Sequence, residues 1–259
     1  MINKNATIIT GAKSGLGLEL AKLYRNNKTN LILIDKDYKK NYAYASKNFK
    51  IFELKKDITN NDLLKKLKKF LNKNNLHLKL LINCAGIGYK GKFSYLDLKK
   101  HIKTIDVNIK SLTNLSYFAI NEFFKNKKDY GTLVNIGSSA SYFPLPLFST
   151  YSASKIYLDY LTRSLQQENK GSKINIFLVS PSGFNSGFQQ SAGVKKKLRL
   201  LEAEFVAKKI FEYIESRKKK KFDGNLKIGL NSKIMFILSK IVPNMIYYYI
   251  LKKLVKNFL

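Results

Sequence analysis

A chain of 259 residues with 45% apolar composition has room for one large α/β unit and excludes global disorder. A single cysteine, Cys84, excludes an intrachain disulfide, and with only two histidines it argues against a structural zinc site. The net charge of +31, from 48 Lys+Arg against 17 Asp+Glu, admits an anionic partner; yet it is mostly lysine spread along the chain, as drift in an AT-rich genome leaves on a solvated surface.

The first residues, MINKNATIIT, run straight into a short apolar segment with no cleavage-site pattern, so no secretory leader is expected. The uninterrupted apolar run of about 18 residues that a plain membrane-spanning helix needs is absent. Residues 234–251 come nearest and are broken by Lys240 and Pro243. A cytoplasmic protein is expected, with contact at the inner face of a membrane left open by the tail described below.

Strands are expected at Thr7–Thr10, Leu31–Ile34, Lys50–Leu54, Leu80–Ile82, Thr132–Ile136 and Ile174–Val179. Between them, Leu16–Arg25, Asp62–Asn72, Ile102–Phe124 and Ser152–Asn169 carry helical periodicity. This alternation predicts an α/β fold with a doubly wound parallel sheet, helices on both faces, and a ligand crevice at the strand C-terminal ends. Residues 1–224 are read as one dinucleotide-binding and catalytic domain. Composition shifts near residue 217, so 225–259 are read as a helical appendage.

The first strand ends in Thr10-Gly11-Ala12-Lys13-Ser14-Gly15-Leu16-Gly17, and a helix follows at once. Such glycines permit a tight turn, let backbone approach a pyrophosphate, and let helix pack on strand, while the helix N-terminus offers free N–H groups to phosphate. The strand–loop–helix context makes this a dinucleotide site rather than a plain turn. Strand two ends at Asp35, 18 residues after Gly17. A carboxylate there bonds ribose hydroxyls and repels a 2′-phosphate, which favours NAD. Lys36 beside it can instead receive that phosphate, so NADP stays open.

Tyr151-Ser152-Ala153-Ser154-Lys155 opens a helical stretch. Residues four apart are helix neighbours, so the Lys155 ammonium is expected beside the Tyr151 phenol, lowering its pKa toward a working acid/base range. Alone, Tyr-x-x-x-Lys means little in a chain this rich in both. The preceding Val134-Asn135-Ile136-Gly137-Ser138-Ser139-Ala140, with Ser138 13 residues before Tyr151, changes the odds. So does Asn83-Cys84-Ala85-Gly86, where small residues let backbone approach a cofactor.

TGAKSGLG, Asp57 in KKDIT, NCAG, Asn108, Ser138, YSASK and the turn Pro181-Ser182-Gly183-Phe184-Asn185-Ser186 occur in one order. Together they resemble the short-chain dehydrogenase/reductase family in its single-domain branch, over roughly residues 5–215. The resemblance implies a seven-stranded Rossmann sheet and hydride transfer between a nicotinamide cofactor and a small-molecule ketone or secondary alcohol. It implies Tyr151 as general acid/base, with Lys155 binding nicotinamide ribose and depressing the Tyr151 pKa. Ser138 would orient the substrate oxygen, and Asn108 would hold a water in a proton relay. Gly11, Lys13, Ser14, Gly15, Leu16, Gly17 and Asp35 would cradle the dinucleotide. Asp57 and Ile58 would meet adenine; Asn83, Ala85 and Gly86 would meet the cofactor backbone. Pro181, Phe184 and Ser186 would line the nicotinamide side. NCAG in place of NNAG, and Ser182 in place of the usual glycine, depart from the pattern without touching the catalytic four. A homodimer or homotetramer built through the long helices near 102–124 and 152–169 is also implied.

Segment 188–201, FQQSAGVKKKLRLL, is a short flap with four basic residues. It reads as a solvated loop or as a contact for a carboxylate, phosphate or lipid headgroup. Residues 233–242 and 244–259 read as two helices broken at Pro243. In the second, Tyr247, Ile250, Leu251, Leu254, Val255 and Phe258 share one face, with Lys252, Lys253 and Lys256 on the other. That pattern suits a membrane-interface anchor or a helix docked on its own domain or another subunit.

Two other functional classes fit the sequence less well. A non-catalytic relative binding an anionic membrane or nucleic acid has no need of the Asn-Ser-Tyr-Lys set, and no specific nucleic-acid motif is present. A sugar-nucleotide epimerase or dehydratase needs a longer C-terminal domain than this chain supplies.

Overall fold

The computed structural model describes residues 4–125, 130–185, 188, 192, 200–217, 221, 224–243 and 246. Strand β1 (Asn5–Thr10) leads into helix α1 (Gly15–Asn26), and β2 (Asn30–Asp35) follows. Both strands are almost wholly buried. Helices cover each face of the sheet, so these strands read as continuous apolar runs instead of alternating ones. Helix α1 turns Leu16, Leu20, Ala21 and Tyr24 inward at helical spacing. Each leucine so buried contributes about 1.5–3 kcal/mol. Past the helix, Lys28 takes a left-handed φ of 51° and turns the chain into β2.

Next come β3 (Tyr42–Ala45), β4 (Lys50–Lys55), α2 (Leu63–Lys73) and β5 (His77–Asn83). Helix α3 (Leu98–Ile105) passes through a π-helical turn at Asp106–Ser111 into α4 (Leu112–Lys125). The helix expected over Ile102–Phe124 is therefore three segments of continuous helical backbone. Then follow β6 (Gly131–Ile136), a 3₁₀ turn at Ser139–Ser141, α5 (Ser149–Glu168), β7 (Ile174–Pro181) and the short β8 (Phe184–Asn185). Strands β9 (Leu201–Glu202) and β10 (Gly224–Ile228) flank α6 (Ala203–Glu215), and α7 (Leu230–Ile241) comes last.

The main sheet has eight strands in the order β10-β7-β6-β5-β1-β2-β4-β3. Every pairing is parallel except that of β3 with β4. The resemblance implied seven strands, and β3 is the eighth. Its Tyr-Ala-Tyr-Ala run is exposed throughout, so no buried stripe announced it. Strand order reverses between β1 and β5, the switch point where a doubly wound sheet opens its crevice.

Strand β10 pairs with β7 from Gly224 opposite Phe177 to Ile228 opposite Pro181. The sheet thus runs past residue 224 into the segment read as an appendage. Helix α7 begins three residues before the expected 233, and the helix expected over 244–259 lies outside the described residues apart from Ile246. Among the described residues, no helix is long and apolar enough to cross a membrane.

Two apolar layers sandwich the sheet. One joins Leu16, Leu20 and Tyr24 to Val206, Ile210 and Ile214 of α6. There the Tyr24 and Phe211 rings meet edge to face at 4.9 Å. The other joins Leu63, Leu67 and Leu71 of α2 to Leu115, Phe118 and Phe123 of α4. Closely packed layers of this kind fix the β1 and β5 ends against each other.

Candidate active site

The glycine loop after β1 lies against the loop after β5. Gly11 has a φ of 66°, and a Cβ there would sit 2.9 Å from the Ala85 Cα. A Cβ on Gly17 would run into the Gly11 carbonyl oxygen, far inside van der Waals contact. Gly15 also has positive φ, at 51°. Each of these three glycines therefore has a conformational or steric reason to be glycine. Ser14 is extended and makes no side-chain cap to α1. The first-turn N–H groups of Gly15, Leu16 and Gly17 are those a helix cannot satisfy internally, and such groups are suited to an anion. The Leu16 side chain is buried in the core, so only its backbone can serve a ligand.

The Asp35 carboxylate accepts from the Lys13 N–H (3.0 Å) and the Asp37 N–H (2.9 Å). The Lys13 ammonium bonds the Asp37 carbonyl instead, and the Lys36 ammonium lies 3.9 Å from the Asp37 carboxylate. Neither lysine neutralises Asp35 directly. Asp57 folds its carboxylate back onto the Thr59 N–H (2.9 Å) and hydroxyl (2.8 Å). Ile58 packs at the margin of the α2–α4 layer.

Asn83 turns away from the crevice. Its amide donates to the Asn135 Oδ1 (2.9 Å) and the Ser116 Oγ (3.3 Å), deep in the sheet. Asn135 continues the chain of bonds to the Thr162 Oγ1 (2.9 Å). A cofactor can meet Asn83 only through backbone, because this network holds the side chain. The next residues do face the loop: the Thr10 Oγ1 accepts from the Cys84 and Ala85 N–H groups, each at 3.1 Å. Thr10 lies within the quoted glycine motif, yet its role as the clasp between β1 and β5 needed the parallel pairing to become visible.

Asn108 sits in the π-helical turn and is fully buried. π-Turns insert a residue into a helix and concentrate at functional sites. Its Oδ1 accepts from the Ile87 N–H (3.0 Å), and its Nδ2 donates to the Ile87 carbonyl (2.8 Å) and the Ser154 Oγ (2.9 Å). The side chain thus locks the loop after β5 to α5. Ser154, inside YSASK, completes the lock, a role its spacing alone did not reveal.

Helix α5 delivers Tyr151 and Lys155. The Tyr151 phenol faces Ser138 in the loop after β6, whose Oγ accepts from the Ala140 N–H at 3.1 Å. Its ring lies 5.0 Å from that of Phe188 and 6.1 Å from that of Phe148. Gly88 makes room beneath it, since a Cβ there would fall 2.7 Å from the Tyr151 ring. Lys155 is buried and donates to the Ile136 carbonyl at 2.9 Å.

The expected depression of the Tyr151 pKa is not what the site produces. Burial raises it, because the phenolate loses water, and the nearby Ser138 hydroxyl acts the other way. Lys155 gives one of its three N–H donors to the Ile136 carbonyl, and no bond to the phenol is formed. Burial also brings Lys155 down to about 8, with Cys84 pulling weakly upward. The Cys84 thiol is pushed up to about 12, chiefly by burial.

Just before Tyr151, the Thr150 hydroxyl lies 2.6 Å from the His101 Nδ1. The His101 Nε2 lies 3.1 Å from the Phe93 carbonyl, which can only accept, so Nε2 carries a proton. This clasp ties α3 to the start of α5, and sequence reading passed over it. Pro181 ends β7, and Phe184 packs at the core margin in β8. Ser186 lies outside the described residues, as does most of segment 188–201.

The short chain dehydrogenase profile matches residues 5–197, and the chain belongs to that family of oxidoreductases. A very-long-chain 3-oxoacyl-CoA reductase of Anas platyrhynchos is 27% identical over 184 residues. That match covers 67% of this chain and 58% of the relative, so the chain spans little more than half of the relative's length. A short-chain dehydrogenase from Sphingobium yanoikuyae solved with NADPH superposes with a TM-score of 0.70 at 22% identity, covering 85% of this chain and 87% of the other. One from Burkholderia phymatum solved with NAD gives 0.75 at 18%, covering 92% and 93%. At such identities the structural likeness speaks for the fold.

The residues present fit a dinucleotide. Glycines stand where a Cβ would collide, a helix N-terminus without a side-chain cap faces the loop, and a carboxylate closes the far end. Gly86 leaves space between the Lys155 Nζ and the Asn108 Oδ1, which a Cβ would approach to 3.4 and 3.5 Å.

Proposed function

We propose that this protein moves a hydride between a nicotinamide dinucleotide and the carbonyl or alcohol carbon of a small molecule. The observation that carries the reading is the meeting of Ser138, Tyr151 and Lys155 at the strand ends beside the Gly11–Gly17 cradle. A bound nicotinamide supplies the hydride donor or acceptor. Tyr151 stays protonated, because burial raises its pKa, and so can give its phenolic proton to a carbonyl oxygen during reduction. Ser138, which faces that phenol, orients the same oxygen. Lys155 stabilises the phenolate left behind and bonds ribose hydroxyls. Asn108 keeps the Ile87 loop in place beside them and holds the relay water.

Asp35 supports a preference for NAD, since its carboxylate accepts from the Lys13 N–H in the loop and, among the described residues, no lysine is paired to it; NADP remains the competing cofactor. Ser14 and the first-turn N–H groups take the pyrophosphate. Asp57 and Ile58 flank adenine, and Pro181, Phe184 and Ser186 the nicotinamide. The relative's name supports a hydrophobic ketone as the substrate class. A homodimer or homotetramer is part of the proposal, supported by Ile102, Tyr117 and Tyr160 exposed on α3, α4 and α5. Sedimentation of the purified protein as a monomer at micromolar concentration would refute that part.

The central experiment is the change Tyr151→Phe. Turnover of hydrophobic ketones should fall by at least about 100-fold, the scale of a lost general acid, while NADH affinity stays within a few fold. Undiminished turnover would sink the mechanism.

A further inference from the structure

Helix α7 is amphipathic with its faces exchanged. Leu230, Ile234, Ile237 and Ile241 follow one another at helical spacing and form one stripe. All four are exposed, Leu230 at 72% and Ile241 at 71%. The opposite side carries Ser232, Phe236 and Ser239, and that side faces the domain. Ser232 is buried and donates to the Ser180 carbonyl at 2.7 Å. The Phe236 ring meets the Tyr142 ring at 5.5 Å, with the Lys227 ammonium 3.9 Å from its centroid. Serines inward and isoleucines outward is the reverse of what water selects. Among the described residues, nothing covers the stripe.

Its occupant can be argued from charge. Lys233 and Lys240 flank the stripe along one side, both exposed. The whole chain carries +31, and Lys252, Lys253 and Lys256 follow in the sequence. A second copy would bring the same sign of charge against this flank. An anionic bilayer brings the opposite sign, and its acyl region accepts the isoleucines while lysine heads reach the headgroups. We infer that the outward face of α7 docks on an anionic membrane surface.

On its inward side helix α7 adjoins the crevice. Tyr142 lies four residues after Ser138, and Ser180 immediately precedes Pro181. A protein seated on α7 therefore holds the strand-end loops near the interface, where an apolar ketone or alcohol would be drawn from the bilayer. This last step rests on the hydride-transfer reading; the docking itself does not.

The test is vesicle sedimentation of the full chain, using phosphatidylcholine vesicles with and without phosphatidylserine. Moderate salt screens non-specific attraction. The wild type should bind the anionic vesicles and bind neutral ones much more weakly. The double change Ile237→Ser and Ile241→Ser should weaken anionic binding on the order of tenfold or more, and Lys233→Glu with Lys240→Glu should also weaken it. Thermal midpoint and NADH affinity of both variants should match the wild type. Unchanged vesicle binding in both variants overturns the inference. So does a concentration-dependent oligomer that the isoleucine changes dissolve, which would make a second copy the occupant. A fall in the thermal midpoint without any vesicle effect also overturns it, because the stripe would then be covered by the protein's own chain. Failure of the wild type to bind NADH would sink the oxidoreductase reading and leave the vesicle result standing.

Discussion

The Lys155 ammonium lies 5.8 Å from the centroid of the Tyr151 ring and gives a hydrogen bond to the Ile136 carbonyl, not to the phenol. The pair is close enough for the ammonium to stabilise a phenolate as it forms, but burial dominates the resting state of both groups. That division of labour governs the pH behaviour expected of the protein.

The Lys155 pKa of about 8 sets an alkaline limb. Because kcat/KM reports the free enzyme, carbonyl reduction should hold level below pH 8 and fall above it as Lys155 loses its proton. Tyr151 remains protonated across this range and contributes no limb there. A kcat/KM that stays flat to pH 10 would contradict this account. The linkage to stability has the opposite sense. Between about 8 and 10.5 an unfolded lysine holds a proton that the folded one has released, so this group's contribution to stability rises with pH. Denaturation of wild type and Lys155→Met should show a difference that shifts in favour of wild type across that window.

Asp35 should decide the cofactor. Its carboxylate accepts two backbone N–H groups at the end of β2, where the proposed reading puts the cofactor's ribose. The change Asp35→Ala removes charge-assisted hydrogen bonds worth about 1.5–3 kcal/mol, or roughly 10- to 100-fold in NADH affinity, and relieves repulsion of a 2′-phosphate. Calorimetric titration should show the wild type preferring NADH and the variant losing that preference. Equal NADH affinity in both proteins would mean the carboxylate does not touch the cofactor.

Gly17→Ala should be far worse than its one methyl suggests. The new Cβ would run into the Gly11 carbonyl, where backbone on both sides leaves nothing soft to move. A stability loss of about 1–3 kcal/mol in urea denaturation is expected. Dinucleotide binding should also be lost, since the loop must open to relieve the clash. A variant that binds NADH normally would show that the cradle is not used.

The buried network is a separate test of the interior. Asn135→Ala leaves the Asn83 amide with only the 3.3 Å bond to Ser116 and removes a donor from Thr162. The Asn83 Oδ1 is already buried without a hydrogen-bond partner among the described residues. A cost of about 1–3 kcal/mol should appear in chemical denaturation. Little change in NADH affinity is expected, because neither side chain faces the crevice. A large affinity loss at unchanged stability would return Asn83 to the cofactor site.

The sheet's parallel core and the main parts of the site are legible in the residue pattern. Runs such as Leu31–Ile34 are apolar without alternation because both faces are covered, and that pattern is visible in one dimension. The glycine loop and Tyr151–Lys155 were legible for a similar reason: each is a local motif whose geometry follows from a few consecutive residues. Strands β3 and β10 were not legible, because exposed or half-buried edge strands carry no apolar signature. Long-range packing sets where Asn83 and Asn108 point, since their partners lie 21 to 52 residues away along the chain. It also reversed the expected direction of the Tyr151 pKa, for helical spacing places a lysine near a phenol but says nothing of the water that burial removes. The outward apolar face of α7 belongs to the same class. Periodicity shows that a helix has two faces, and only packing decides which of them turns toward the domain.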